Sequence, residues 1–284
     1  MIEFAVRGKQ LGLIRNVLGI IALIIIIMTT TIYFFQENLL FRACPVSQER
    51  FNALREKYSN CEVVELKTQD NIRLYGWFAK CKNKGKAPLL IHFGGSANPA
   101  SAVMQYVNNI DGCSVVSFNY RGYEISEGKA SEDKLFEDAL LVYDKFSARD
   151  DVDKKNIFLM GYSLGTGVAT YVASKRECNA VILSAPFDSI TQLVQDRLFF
   201  IPLAPLIRHR FDSVSRGSMV TAPLLAILAE KDIVILNKNS MNLVNNWGGE
   251  HTVRVMKDRG HINLWKNDDY WQYIKKFIET KMKD

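Results

Sequence analysis

The stretch "NIFLMGYSLGTGVATYVAS" (Asn156–Ser174) decides how this chain is read. Ile157 to Met160 form an apolar run that reads as a buried strand, and a small-residue helical pattern begins directly after it. Between them stands Ser163, flanked by Gly161 and Gly165. A turn that needed only flexibility would not need a serine enclosed in this way. A sharp strand-to-helix turn lifts a serine clear of the sheet. It also crowds the backbone, so only very small residues fit on either side, and the helix start behind it directs N–H groups toward developing negative charge. "GYSLG" therefore fits a nucleophile elbow with Ser163 as nucleophile. The plainer alternative is a serine capping a helix after a glycine turn.

Working outward, strand and helix patterns alternate. "CEVVELKT" (61–68) and "IRLYGWFAK" (72–80) read as an antiparallel hairpin, followed by the loop "NKGKA" (83–87). "PLLIHF" (88–93), "CSVVSFNY" (113–120), "NIFLMG" (156–161), "NAVILSA" (179–185), "APLLAILA" (222–229) and "HTVRVMKD" (251–258) read as further strands. Helices are expected near 100–110, over 131–149 behind a Ser-Glu-Asp cap, from Ser163 to Lys175, over 238–247 and over 267–283. This rhythm predicts an α/β fold with a mostly parallel eight-stranded sheet flanked by helices. Residues 187–220 break it: they show no clear strand and hold the apolar run "LFFIPLAPLI" (198–207). The segment follows a strand's C-terminal end, where ligands bind in open α/β sheets, and is a candidate lid.

If Ser163 is a nucleophile on this turn, an acid and then a histidine must follow it in the chain. Of four histidines, His92 falls inside a strand pattern and reads as structural, His209 lies in the lid and His251 opens a strand. His261, in "KDRGHINLW", lies in the loop between the last strand and the last helix, from which a base can reach Ser163. Asp232, just past "LLAILA", is preferred over Asp188 as the acid that holds the histidine in the proton-accepting tautomer. Two backbone donors are needed for an oxyanion. Leu164, after the nucleophile, supplies one, and Gly95 in "GGSAN" (94–98) is the expected other.

The N-terminal part is of a different kind. No charge occurs in "VLGIIALIIIIMTTTIYFF" (17–35), and nineteen helical residues span about 28 Å, close to the hydrocarbon thickness of a bilayer. Arg7, Lys9 and Arg15 precede it, and Tyr33, Phe34 and Phe35 sit at its far end as an aromatic belt would. The run is long for a cleavable signal peptide and no A-x-A site follows, so an uncleaved signal anchor is the preferred reading. The expected organisation is a tail (1–16), a transmembrane anchor (17–35), a linker with a short helix (36–60) and an α/β domain (61–284). Charge flanks favour a cytoplasmic N-terminus and an extracytoplasmic domain by a small margin.

With 284 residues and a net charge of +6 spread among acids, the chain is large enough for one such domain, and no nucleic-acid surface is indicated. The five cysteines form no CxxC and do not cluster with histidine, so no zinc site is expected. One disulfide among Cys44, Cys61 and Cys81 is open if the domain lies outside the cytoplasm. Cys113 and Cys178 read as small buried hydrophobes.

At this point the chain resembles the α/β-hydrolase superfamily over about 61–284, and more narrowly its membrane-anchored serine hydrolases. "NYRGYEISEG" (119–128), "GYSLG", "EKD" and "RGHIN" match motifs of that branch, whereas "HFGGSAN" departs, with Phe93 where His is usual and Gly95 where Asn is usual. The resemblance implies hydrolysis of an acyl ester, a thioester or, less often, an amide through an acyl-serine intermediate, with no cofactor, and does not fix the substrate. The apolar lid and the anchor together suggest a lipid-like or long acyl substrate; the alternative is that "LFFIPLAPLI" simply packs over the core. A serine peptidase on the same residues, and a catalytically silent fold serving as a membrane partner protein, are the alternatives.

Overall fold

A computed structural model describes residues 2–82, 85–110, 112–199, 201 and 203–283. Positions 83 and 84 of the expected loop, and 200 and 202 of the apolar run, lie outside the described residues.

The chain opens with one long helix, α1 (Ile2–Leu40), and among the described residues its part from Leu11 to Leu40 is the one helix long and apolar enough to cross a membrane. Its apolar side chains, Ile20, Leu23, Ile24 and Ile27 among them, are exposed. The helix passes the expected end of the span at Phe35 and continues to Leu40, so the linker expected from residue 36 begins five residues later. A short helix, α2 (Gln48–Lys57), follows, with Ser47 Oγ accepting from the amide of Arg50 at its start.

Eight strands then form one sheet: β1 (Glu62–Lys67), β2 (Arg73–Ala79), β3 (Ala87–Phe93), β4 (Ser114–Phe118), β5 (Val152–Tyr162), β6 (Ala180–Ser184), β7 (Leu224–Ala229) and β8 (His251–Met256). Their order is β1-β2-β4-β3-β5-β6-β7-β8, antiparallel at β1–β2 and β2–β4 and parallel elsewhere. The central strands are apolar runs buried on both faces, with Leu89, Leu90 and Ile91 on β3 and Phe158 and Leu159 on β5 fully enclosed. The edge strands β1 and β8 are short and largely exposed.

Between the strands lie α3 (Ser101–Met104), α4 (Glu132–Ser147), α5 (Leu164–Ala173), α6 (Ile190–Arg197), α7 (Ser213–Gly217) and α8 (Asn237–Asn245), with α9 (Asp268–Lys281) last. The helix expected near 100–110 is instead α3 followed by a 3-10 turn at Val107–Asn109. Asn108 and Asn109, with Gly112 just beyond, are poor helix formers. α5 packs against β3, β5 and β6 and against α4 and α7, while α9 packs on β6 and β7.

All five cysteines are free thiols. The β1–β2 register that pairs Glu62 with Phe78 carries position 61 to 79 rather than 81, so the hairpin does not bring Cys61 to Cys81. Cys44 lies in the segment bonded to Glu124 instead. Cys113 is buried. Cys178 is only partly covered by surface area, yet burial pushes its thiol up to about 12.

Candidate active site

Four loops converge at the C-terminal ends of the parallel strands β3, β5, β7 and β8, where open α/β sheets present their ligands. The first is the turn at Ser163. Its backbone sits at φ 50° and ψ −119°, a strained conformation costing about 1–3 kcal/mol that persists only where the surroundings enforce it. The Ser163 amide donates to the Ser184 carbonyl (2.9 Å) and its own carbonyl accepts from Thr166 (2.9 Å). A Cβ on Gly165 would lie 2.1 Å from the Phe93 carbonyl oxygen, and one on Gly161 would lie 2.4 Å from that of Gly165. Close backbone approach leaves no room for a side chain at either glycine.

The second and third loops follow β7 and β8 and are stapled to each other. The Lys231 amide donates to the Arg259 carbonyl (2.8 Å), and the Asp258 amide donates to the Glu230 carboxylate (2.8 Å). This brings Asp232 Oδ2 to 2.8 Å from His261 Nδ1, and His261 Nε2 to 2.9 Å from Ser163 Oγ. The Asp232 side chain is almost fully buried, and its other oxygen accepts the amides of Val234 and Ile235, both at 2.8 Å. The side chains of Ser163, His261 and Asp232 thus form one hydrogen-bonded chain, and of the four sequence histidines His261 is the one in it.

Asp188, the alternative acid, is buried elsewhere and accepts from Asn239 and Asn242. His92 is enclosed in β3 with Nδ1 3.1 Å from Ser117 Oγ, and burial pulls its pKa down to about 4.

The fourth loop, "GGSAN", is held by the segment after β4. Tyr120 donates to the Gly94 carbonyl (2.8 Å), Tyr123 donates to the Ser96 carbonyl (2.6 Å), and Asn119 Oδ1 accepts the Ala100 amide (2.7 Å). Glu124 completes the support from a backbone position at φ 47°: it accepts from Asn119 (2.8 Å), Trp77 (3.3 Å) and Ser101. Arg121 anchors the same segment from the other side, bonded to both Asp70 and Asp138. Gly95 accepts the Asn98 amide through its carbonyl (3.1 Å) and lies against the Tyr162 ring. Ser96 and Asn98, from the same loop, line a cavity of about 420 Å³ together with Ser163, Leu164 and His261.

Tyr162 was not singled out from the sequence, although it is the variable residue just before the serine. Its hydroxyl donates to the His261 carbonyl (2.5 Å), and its ring packs edge-on against Trp265 at 4.4 Å. It buttresses the loop that carries the histidine.

A family model described as the alpha/beta hydrolase fold matches residues 87–211. An uncharacterized protein of Mycobacterium tuberculosis is 32% identical over 183 residues, 64% of this chain and 65% of that protein, so the chain spans just under two thirds of this relative. Alpha/beta hydrolase domain-containing protein 17C of Homo sapiens is 27% identical over 223 residues, covering 78% of this chain and 67% of that protein. Among solved structures, an acetyl xylan esterase from Paenibacillus sp. R4 superimposes with a TM-score of 0.64 at 16% identity, covering 82% of this chain and 93% of that one. At that identity the likeness speaks for the fold alone. The strand order, the turn at Ser163 and the family-model match over residues 87–211 agree on the fold: the chain has the α/β-hydrolase fold.

Proposed function

We propose that this chain is a membrane-anchored serine hydrolase that cleaves acyl esters or thioesters. The observation that carries the reading is the hydrogen-bonded chain from Ser163 through His261 to Asp232 on a strained strand-to-helix turn. In the proposed reaction Ser163 Oγ attacks the acyl carbonyl carbon while His261 Nε2 takes the hydroxyl proton. Asp232 accepts from Nδ1–H and stabilises the imidazolium. The tetrahedral oxyanion is met by the backbone N–H groups of Leu164 and Gly95. His261 then gives its proton to the departing alkoxide or thiolate, leaving an acyl-serine. Water attacks that ester in the second half, its proton passing through His261 back to Ser163.

No cofactor enters this scheme. α1 is the anchor, with residues 17–35 in the hydrocarbon, and the segment 187–220 is the lid over the site.

A fluorescent fluorophosphonate tests the reading on the detergent-solubilised full chain. Labelling of the wild type but not of Ser163→Ala is expected. A folded wild type that stays unlabelled would overturn it in favour of a catalytically silent partner protein.

A further inference from the structure

Two compartments share a wall at α6, where Ile190 and Leu193 line both. One, about 420 Å³, contains Ser163 and His261; the other, about 570 Å³, lies between the last turns of α1 and helix α6. Leu39, Leu40, Ile190, Leu193 and Val234 line both, so the two adjoin and make up one groove along this shared wall. Its outer end is lined by Ile32, inside the 17–35 segment, and its inner end reaches the serine. From Ile32 to Leu40 the helix rises about 12 Å.

Two polar side chains on this path, Gln36 and Arg197, are engaged within the chain, while His209 Nε2 in the outer compartment has no hydrogen-bond partner among the described residues. Gln36 donates to the Leu206 carbonyl (3.2 Å) and accepts the Arg208 amide (2.8 Å), and Arg197 donates to the Val234 carbonyl (3.0 Å). A peptide laid here would bring backbone groups that find few free partners, at a desolvation cost. A hydrocarbon chain brings none.

We infer that this groove takes one fatty acyl chain directly from the lipid phase, with α1 as one wall and the acyl carbonyl delivered to Ser163. The inference rests on the proposed role of Ser163 and adds the substrate class and its route. An acyl chain drawn from a bilayer through water loses about fourfold in equilibrium for each methylene exposed. A groove that begins beside the membrane helix and is walled mainly by Leu39, Leu40, Ile190, Leu193 and Val234 on the way to the serine exposes fewer of them. Ile233 and Ile262, 79% and 74% exposed, line its outer and inner compartments and continue the apolar surface outside it.

The test uses the full chain in detergent micelles with p-nitrophenyl butyrate and p-nitrophenyl palmitate as substrates. Val194→Trp and Ile32→Trp narrow the outer compartment from opposite walls, and neither residue lines the Ser163 compartment. Both variants should keep fluorophosphonate labelling and butyrate hydrolysis within about twofold, while kcat/KM for palmitate falls about tenfold or more. Labelling retained with butyrate and palmitate changing together, or with neither changing, would overturn the groove and leave the role of Ser163 standing. A folded wild type that is not labelled would remove the nucleophile and this route with it.

Discussion

Asp232 divides its carboxylate between two tasks: Oδ2 meets His261 Nδ1 at 2.8 Å, while Oδ1 accepts two amides, those of Val234 and Ile235. That division fixes what an amide would do in its place. In Asp232→Asn the oxygen must face the two N–H groups, which turns the NH2 toward Nδ1. The histidine then accepts at Nδ1, carries its proton on Nε2 and can no longer take one from Ser163. Hydrolysis should fall by about 10⁴-fold, as expected when the tautomer is wrong and the geometry intact. Steady-state rates on a short-chain ester, with circular dichroism to confirm an unchanged fold, check this.

Gly165→Ala should fail for a different reason. The new methyl would meet the Phe93 and Gly94 carbonyl oxygens at 2.1 and 2.6 Å, and both belong to the backbone of the neighbouring loop. No side-chain rotation relieves such a contact. A loss of about 3 kcal/mol or more is expected, together with loss of probe labelling, since the loop that moves is the one carrying Gly95. Thermal unfolding and labelling measured on the same sample would show both.

Glu124 offers a two-step test of buried polar support. Glu124→Ala leaves the donors of Trp77, Asn119 and Ser101 without their acceptor, and should cost about 3 kcal/mol. Glu124→Gly leaves the same donors orphaned but suits φ 47°, so it should be about 1 kcal/mol more stable than the alanine variant. Denaturant midpoints rank the three proteins.

Stability should also depend on pH through His92. Its folded pKa is held at about 4 by burial, below the ordinary 6.5 of the unfolded chain. Between those values the unfolded state binds more protons, so stability rises with pH; it is complete above 6.5 and is lost as pH falls toward 4. The amount is about 3 kcal/mol over that window. Melting temperatures from acid to neutral pH, wild type against His92→Gln, should show a shallower slope in the variant.

Much of this was legible along the chain because the signals were local. All eight strands announce themselves as apolar or alternating runs, and Ser163, Asp232 and His261 stand just after three of them, where the structure brings their side chains together. What was not legible depends on distant partners. The continuation of α1 to Leu40 is held by Gln36 and Glu37, whose partners include Leu206, Arg208 and Lys129. Glu124 takes a positive φ, which L side chains rarely adopt, and its carboxylate is sustained by donors from three separate segments. The support of the histidine loop by Tyr162 spans 99 residues.

The unbroken run of α1 into its bonded last turn also sets a stand-off distance. In the proposed anchoring, with residues 17–35 in the hydrocarbon, the five-residue step from Phe35 to Leu40 rises about 8 Å, roughly one Debye length at physiological salt. The turn is clamped rather than swivelling: Glu37 sits between Lys129 and Arg208, and Gln36 is bonded to the backbone of Leu206 and Arg208. In that anchoring those basic side chains would lie inside the electrostatic reach of the headgroups, where each would be worth about 1 kcal/mol against an anionic surface. The charge of the lipids, and not merely their presence, would then be part of the setting in which this domain works.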